Sequence, residues 1–323
     1  MSNMAIDLLS DALTLVRLSG ALIFRVDITG PWGVAAHPTV EKFETLLPPG
    51  TRQIIAFHVV LEGQCWVRHP AQDWFALSRG HAVVIPHGDP HDLGDRPGCM
   101  TVPFATMLQG RSLLDLRHAR FETGPGGSVS LLCGFLGCDQ RAFDPLCRSL
   151  PPVFVVDLGT RRDTLIRYAV ANALDDSPGA AGLRGRLAEL LFLSTLRRYM
   201  CGLPANATGW LAGLRDPLVG RALHALHEQP CRRWSVDELA ATIASSRSVL
   251  AERFREIIGE PPMHYLTRLR MQLAARRLGD SRQSIACVAD EVGYDSSAAF
   301  QRAFKRCFGV PPAAWRRHAA VAR

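Results

Sequence analysis

The chain has 323 residues, more than one compact domain usually holds, which predicts two or three domains. Hydrophobic residues make up 47% and charged residues 21%, a balance typical of globular proteins that excludes disordered, collagen-like and disulfide-scaffold classes. Neither a secretion signal nor a run of about eighteen apolar residues occurs. We therefore expect a cytoplasmic protein with no membrane partner.

The formal net charge of +7 is concentrated in the last third of the chain. Residues 216–323 contain 17 Lys and Arg against 11 Asp and Glu, whereas residues 1–215 contain 20 against 19. Because clustered Lys and Arg neutralise phosphates, the excess indicates a nucleic-acid partner, with a solvated basic surface as the alternative. The nine cysteines lack paired C-x-x-C spacing, which favours free thiols over disulfides or a structural zinc module.

The first half of the chain predicts a short helix followed by β-structure. Apolar side chains recur with helical spacing over residues 5–18. From about residue 21 to 135, short apolar runs alternate with turn signals: Pro48-Pro49-Gly50, Glu62-Gly63, Arg79-Gly80, His87–Pro90 and Pro125–Gly127. Many short strands with such spacing predict an antiparallel sandwich or barrel.

After residue 161 the apolar pattern becomes helical. Leu183, Leu187, Leu190 and Leu191 follow helical spacing, as a packing or dimerisation face requires. Small residues over 206–213 predict a linker, and a second helical block follows it to the end of the chain.

This last block contains an internal repeat. Features recur at a constant offset of 50 residues: Phe254 and Phe304, Gly259 and Gly309, Pro261-Pro262 and Pro311-Pro312, and Tyr265 and Trp315. Upstream the offset is 49, so one copy has an extra residue in a turn. Each copy predicts a short helix, a tight turn and a longer helix, which is helix-turn-helix geometry. A helical solenoid is the alternative, but solenoids need at least about three units.

The repeat also predicts where its helices begin and end. Gly259 and Gly309 are expected C-caps, Gly293 lies in the second turn, and Asp295 is the expected N-cap of the last long helix. In chain order the helices cover 236–243, 246–258, 263–278, 285–291 and the residues between 295 and 309. The third helix, free of Gly and Pro, spans about 22 Å between the two copies.

A helix-turn-helix unit places the first turns of its second helix in a major groove, where side chains reach base edges. Val249, Leu250 and Phe254 are expected to point into the core. The groove-facing candidates are Ser246, Arg247, Ser248, Ala251 and Glu252 in the first copy, and Ser296, Ser297, Ala298, Gln301 and Arg302 in the second. Arg302 is the best base-contacting candidate, because a guanidinium bonds guanine O6 and N7 together. Phosphate contacts are expected from Arg247, Arg253, Lys305 and Arg306, with a solvated surface charge as the alternative for each arginine.

Together these residues resemble the AraC/XylS family of bacterial transcription regulators over about the last hundred residues. The resemblance implies sequence-specific binding to double-stranded operator DNA, with RNA polymerase as a further partner. Glu252 departs from the family pattern, since basic or neutral residues are common at that position. The matching residues are Arg247-Ser248, Arg253-Phe254, Gly259–Pro262, Tyr265-Leu266, Arg270-Met271, Ala274-Ala275 and Leu278, then Ile285, Val288-Ala289, Val292–Tyr294, Phe300, Arg302, Phe304-Lys305, Phe308-Gly309, Pro311-Pro312 and Trp315-Arg316.

The β-rich region resembles the cupin-type effector domain of one subgroup of that family, over about residues 5–160. The resemblance implies a double-sheet barrel whose interior can hold a metal or a small molecule. The residues that carry it are Phe57–Gly63, Cys65-Trp66, Leu77, Gly80, Pro86–His91, Leu132–Gly134 and Leu150-Pro151.

His58 and His91 lie where cupin enzymes place metal-binding histidines, but Val60 stands in place of the usual second histidine. The alternative is a pair of hydrogen-bonded structural histidines in a barrel without a metal. A redox role is a separate hypothesis for Cys65, Cys133 and Cys138, because an ionised thiol is readily oxidised. Some members of the subgroup sense reactive chlorine, and Cys133 matches a cysteine of that pattern. Buried inert thiols are the alternative.

We therefore predict an α+β multidomain protein with a cupin-like β-barrel at 1–160, a helical coupling and dimerisation region at 161–205, and a DNA-binding domain with two helix-turn-helix units at 206–323. The predicted function is transcription regulation by a homodimer, an activator controlled by a small molecule or an oxidant. A cupin-type metal-dependent enzyme with a helical appendage is the alternative. The doubled helix-turn-helix favours the regulator, which is not an enzyme.

Overall fold

A computed structural model describes residues 18–43, 51, 53–108, 110, 117–138, 146, 149–159, 164–173, 175, 177–280 and 283–321. The chain divides into two compact units. The β unit lies within Arg17–Asp139 and Leu150–Gly202, and the helical unit contains Leu203–Arg323. The helix predicted over residues 5–18 falls outside the described residues except for Leu18. The boundaries predicted at residues 160 and 205 stay predictions.

The β unit is built from short strands separated by turns, as the sequence pattern predicted. Its strands are β1 (Leu18–Thr29), β2 (Gly33–Ala36), β3 (Gln53–Glu62), β4 (Gln64–His69), β5 (Gln72–Ser78), β6 (His81–Ile85), β7 (His91–Gly94), β8 (Val102–Pro103), β9 (His118–Glu122), β10 (Ser128–Cys138) and β11 (Phe154–Asp157). A 3-10 helix covers Val40–Phe43, and helices α1, α2 and α3 cover Phe104–Leu108, Thr164–Ala173 and Ala180–Gly202.

These strands form two sheets. One has the order β11-β6-β3-β10-β1-β9 and the other the order β5-β4-β7-β2-β8. The pairs β1 with β9 and β2 with β8 are parallel, whereas β10, in the middle of the larger sheet, is antiparallel to both β1 and β3. The double-sheet prediction is confirmed. The sheets do not close into a single barrel, because β9 and β11 are each paired on one side within the described strands.

The core of the β unit lies between the sheets. Alternate residues of β1, namely Phe24, Val26 and Ile28, are buried there, as the period of two in a strand requires. Helix α3 packs on β1 and β11 with buried leucines such as Leu187 and Leu191. The α3 side chain of Tyr199 lies against Phe154 of β11, with ring centroids 4.3 Å apart.

The helical unit contains α4 (Trp210–Arg215), α5 (Pro217–Glu228), α6 (Val236–Thr242), α7 (Arg247–Ile258), α8 (Pro262–Asp280), α9 (Ile285–Glu291), α10 (Ser297–Phe308) and α11 (Pro312–Val321). The linker predicted at 206–213 is partly wrong, because Trp210 and Leu211 are buried and begin helix α4. Burying these two apolar side chains in the core stabilises the fold more than exposing them in a solvated linker would. Among the described residues, no helix combines the length and the apolar character needed to cross a membrane.

The internal repeat is visible in how the helices begin and end. Ser246 and Ser296 cap α7 and α10, each accepting a hydrogen bond from a backbone N–H three residues later. Gly259 and Gly309 end the same helices with φ of 85° and 75°, as predicted. The predicted N-cap Asp295 is wrong. Its carboxylate pairs instead with Arg233, and the next residue takes the cap.

The two helix-turn-helix turns need the left-handed backbone region at equivalent positions. Gly293 has φ of 80°, and Ala244, 49 residues earlier, has φ of 53°. A Cβ on Gly293 would lie 2.6 Å from the carbonyl oxygen of Cys231, which is closer than any real contact. The second turn therefore requires glycine on two grounds, whereas the first accommodates alanine at some cost in backbone strain.

We predict that Gly293→Ala destabilises the protein by about 2–4 kcal/mol, the sum of a left-handed alanine and an overpacked contact. The matched change Ala244→Gly is expected to alter stability by less than about 1 kcal/mol, because relief of strain offsets the added chain entropy. Urea denaturation followed by circular dichroism measures both. Equal effects of the two variants would contradict this account of the turns.

A polar network lies within the core under the first helix-turn-helix unit. The Trp210 indole N–H donates to the Tyr265 hydroxyl at 2.8 Å, and the Nε2 atom of His227 lies 2.7 Å from the same hydroxyl. Burial, and then the neighbouring His224 side chain, lowers the pKa of His227 to about 4. The neutral imidazole therefore accepts the Tyr265 proton at physiological pH.

The pKa of His227 is lower in the folded than in the unfolded chain. As pH falls from about 6.5 towards 4, the imidazole is therefore protonated in the unfolded chain but not in the folded chain, which favours unfolding. We predict a loss of about 2 kcal/mol of stability between pH 7 and pH 5 from this group. His227→Gln keeps an acceptor for Tyr265 and should remove that part of the pH dependence, whereas His264→Gln, at an exposed histidine, should retain it. Urea denaturation at both pH values tests this, and identical pH dependence in all three proteins would refute it.

Candidate functional site

Helix α10 presents a basic face without a carboxylate. Phe300 and Phe304 are buried, which directs the other sides of the helix to solvent. The outward residues are Ser296, Ala298, Gln301, Arg302, Lys305 and Arg306, with Ser297 half-buried. In the part of the chain that the structure describes, no ion pair holds Arg302, Lys305 or Arg306. These cations are therefore available to a polyanion.

Two of the three arginines of α7, Arg247 and Arg253, are engaged within the protein, and Arg255 in the last turn is exposed. Arg247 pairs with Asp237 of α6 at 3.1 Å, with both side chains more than 60% exposed. Arg253 bonds Asp216 at 2.9 Å and Glu256 at 2.7 Å. A surface pair such as the first is worth about 0–1 kcal/mol and opens readily, whereas Arg253 connects α7 to the carboxylate that caps α5. The structure thus gives Arg253 a packing role beside the predicted phosphate contact.

One expectation for α7 is wrong. Val249 is 52% exposed, whereas Leu250 and Phe254 are fully buried as predicted. Successive residues of a helix point about 100° apart, so the residue before a buried leucine is carried round to the open side of α7. The outward face of α7 therefore comprises Arg247, Ser248, Val249 and Glu252, with Ala251 half-buried beside them and the N-cap Ser246 exposed at its start.

Arg270 of α8 joins both helix-turn-helix units and was not predicted from the sequence. Its guanidinium donates to the carbonyl oxygens of Pro230 at 2.7 Å, Arg232 at 2.8 Å and Gly293 at 3.3 Å. The first two acceptors precede α6 and the third lies in the turn before α10. The sequence signal that could have indicated this role is that Arg270 lies on a side of α8 that is otherwise apolar.

A second site lies between the sheets of the β unit. The cavity volume is about 40 Å³, within about 440 Å³ of space between atoms that includes open solvent. The polar members of its lining are His58 and Cys133. Across the described residues no charged side chain lines this cavity. The other lining residues are Phe24, Val26, Ile28, Trp32, Val34, Ala36, Leu93, Phe104, Met107, Phe121, Leu131 and Phe135.

Both polar residues of the cavity belong to a chain of hydrogen bonds. The Nδ1 atom of His91 lies 2.9 Å from the Asp89 carbonyl, which can only accept, so this nitrogen carries the proton. The free Nε2 of His91 then accepts from His58 Nε2–H at 2.9 Å. The remaining nitrogen, His58 Nδ1, accepts the thiol proton of Cys133 at 3.1 Å. This direction holds while both imidazoles are neutral.

Burial keeps the chain in that neutral form. It lowers the pKa of His58 well below its usual value, with a further contribution from His91, and lowers the pKa of His91 to about 4. The same burial raises the pKa of the Cys133 thiol, and raises that of Cys65 to about 12. The thiols are therefore protonated at neutral pH, the form that oxidants attack slowly.

The two histidines do not make a metal site with the residues described. Among these, no group of three or more His, Cys, Asp or Glu side chains is placed to hold a metal ion. His58 directs its two nitrogens to different partners, Cys133 and His91, so one ion cannot take all three residues in this arrangement. The seven cysteines with described side chains are free thiols. The side chain of the remaining candidate, Cys138, lies outside the described residues.

Comparison with known proteins agrees with this division. The Cupin family model matches residues 7–201, and the Helix-turn-helix domain model matches residues 239–318. The chain is 34% identical over 322 residues to a putative AraC-like transcription regulator of Streptomyces lividans, covering 97% of this chain and 98% of that protein. It is 24% identical to the RCS-specific HTH-type transcriptional activator RclR of Escherichia coli, covering 90% and 94%.

Among solved structures, the DNA-binding domain of AdpA in complex with a target DNA is 32% identical to this chain. That likeness covers 33% of this chain and 96% of the AdpA domain, with a TM-score of 0.32. The family of the chain follows from its fold, from the repeated helix-turn-helix geometry and from the similarity over nearly its full length. The chain belongs to the AraC-like transcription regulators, with a cupin-type N-terminal region and a DNA-binding helix-turn-helix region at its C-terminal end.

Proposed function

We propose that this regulator inserts α7 and α10 into the major groove of operator DNA, and that an uncharged apolar molecule in the cavity of the β unit controls it. The observation that carries the first part is the outward face of α10, where Arg302, Lys305 and Arg306 have no ion-pair partner in the described chain. Such a face attracts phosphates at no cost in broken salt bridges. The regulator acts in the cytoplasm, where it meets operator DNA and RNA polymerase.

The cavity lining supports an uncharged apolar effector. A charged ligand would lose its hydration and find no opposite charge, since His58 is neutral and the described lining carries no ionic group. Aromatic and aliphatic side chains instead stabilise an apolar ligand in proportion to the area they bury. The polar atoms of His58 and Cys133 are engaged in hydrogen bonds, so the surface that the cavity offers a ligand is apolar.

An oxidant signal is the second candidate, and it has one supporting observation. The relative RclR is named as RCS-specific, and Cys133 contacts an imidazole that can take its proton. Burial opposes this candidate, because it holds the thiol in its protonated form. The metal-dependent enzyme has less support still, because His58 and His91 find no third ligand among the described side chains.

The β unit also offers a surface for a second copy of the chain. Leu183 and Leu190 of α3 are 36% and 48% exposed and lie two helical turns apart on one side of that helix. Tyr168 of α2 is 50% exposed. Apolar side chains in such a row favour helix pairing, and we propose that α3 contributes to a homodimer.

Arg302→Ala is predicted to weaken binding to the preferred duplex by about 1–3 kcal/mol and to relax base preference at one position. The preferred duplex is obtained by selection from a random pool with the full-length protein. Arg221→Ala, which removes an exposed arginine of α5, is the charge-matched control and should bind as the wild type does. An equal loss on selected and random DNA would show that Arg302 contacts phosphate and does not select a base.

The effector part is tested with two fluorescent probes of similar shape. N-phenyl-1-naphthylamine is uncharged, and 8-anilinonaphthalene-1-sulfonate carries a sulfonate. The uncharged probe should bind the full-length protein at least about tenfold more tightly, a difference of about 1.4 kcal/mol. Ala36→Leu fills part of the cavity and should weaken that binding, whereas Val155→Leu, on the exposed part of β11, should not. Equal affinities for both probes, or no effect of Ala36→Leu, would refute the proposal.

A further inference from the structure

The two recognition helices differ in charge although they occupy equivalent places in the repeat. Helix α10 contains Arg302, Lys305 and Arg306 and no acidic residue, whereas α7 contains both Glu252 and Glu256. On α7, Arg247 and Arg253 are already paired with carboxylates of the protein, which leaves Arg255 in the last turn as its third arginine. Helix α10 can therefore attract phosphates more strongly than α7.

Glu252 stands where the repeat has Arg302, 50 residues later. Both residues are exposed on the second turn of their helices. Within the described residues, no hydrogen bond or ion pair engages the Glu252 carboxylate. In a groove bordered by phosphates, a carboxylate is tolerated only where it accepts a hydrogen bond from a base.

The major groove offers few such donors. Guanine presents only acceptors there, and thymine presents an acceptor and a methyl group. Adenine presents its amino group beside the N7 acceptor, which repels a carboxylate. Cytosine presents an amino group alone, so it is the base that best matches Glu252.

Val249 lies next to Glu252 on the same side of α7. The two residues are three apart, which separates them by about 4.5 Å along the helix. Adjacent base pairs are about 3.4 Å apart along the DNA axis. The exposed valine can thus contact the base pair beside the one that Glu252 contacts, and a methyl group of thymine is its complementary partner.

We propose that α7 selects pyrimidines, with Glu252 accepting from the cytosine amino group and Val249 packing on the thymine methyl of the adjacent base pair. Helix α10 supplies most of the charge-dependent affinity. This inference rests on the proposed function, in which α7 enters the major groove. It assigns the base preference of α7 to the Glu252 carboxylate and the Val249 side chain, and not to an arginine.

The test is selection from a random duplex pool by the full-length wild type and by Glu252→Gln, Val249→Ala and the control Glu228→Gln, an exposed glutamate of α5. Glu252→Gln should change one selected cytosine to adenine, the base that glutamine bonds with two hydrogen bonds, and should leave the other positions unchanged. Val249→Ala should relax a thymine preference at the neighbouring position. Each preference should correspond to about 5- to 100-fold in affinity.

A duplex with uracil in place of that thymine isolates the methyl contact. Wild type should bind it less tightly than the thymine duplex, whereas Val249→Ala should bind the two equally. Unchanged base preferences in Glu252→Gln and Val249→Ala would overturn the inference and leave the proposed function intact. Failure of the wild type to enrich any sequence would instead overturn the proposed function itself.

Discussion

The bonds of Arg270 connect the parts of the helical unit that must act together. One guanidinium donates to carbonyls that precede α6 and to the carbonyl of Gly293, in the turn before α10. Because two acceptors precede α6 and the third precedes α10, this side chain connects the segments leading into both halves of the repeat to α8. Gly293, required by its left-handed backbone and by the Cys231 carbonyl, also lies close to this side chain, since a Cβ there would approach the Arg270 guanidinium at 3.0 Å.

The β unit depends on burial in a comparable way. His58, His91 and Cys133 are each less than 10% exposed, and the apolar surroundings keep all three neutral. Neutrality fixes the direction of every hydrogen bond from the thiol to the Asp89 carbonyl. The polar groups of the cavity are therefore satisfied without an ion. These hydrogen bonds connect the cavity lining on β3 and β10 to His91 at the start of β7.

The halves of the repeat share a scaffold and differ in chemistry. The serine N-caps, glycine C-caps and buried phenylalanines are duplicated because each recognition helix needs the same supports. The outward residues are under no such requirement. A mixed face on α7, with Arg247, Val249 and Glu252, and a basic face on α10 are compatible with the same fold, because neither face enters the core.

The sequence alone determined the repeat, the bounds of its helices to within two or three residues, and the β-rich and helical regions, because caps, turns and apolar periodicity are local signals. Tertiary structure decided the rest. Val249 faces outward because burial of Leu250 and Phe254 sets the rotation of α7. Ser296 is the N-cap of α10 because its hydroxyl accepts from the Ala299 N–H, whereas Asp295 pairs with Arg233. The Arg270 bonds and the orientation of the His58 imidazole join residues 23 to 75 positions apart, and no local pattern encodes such contacts.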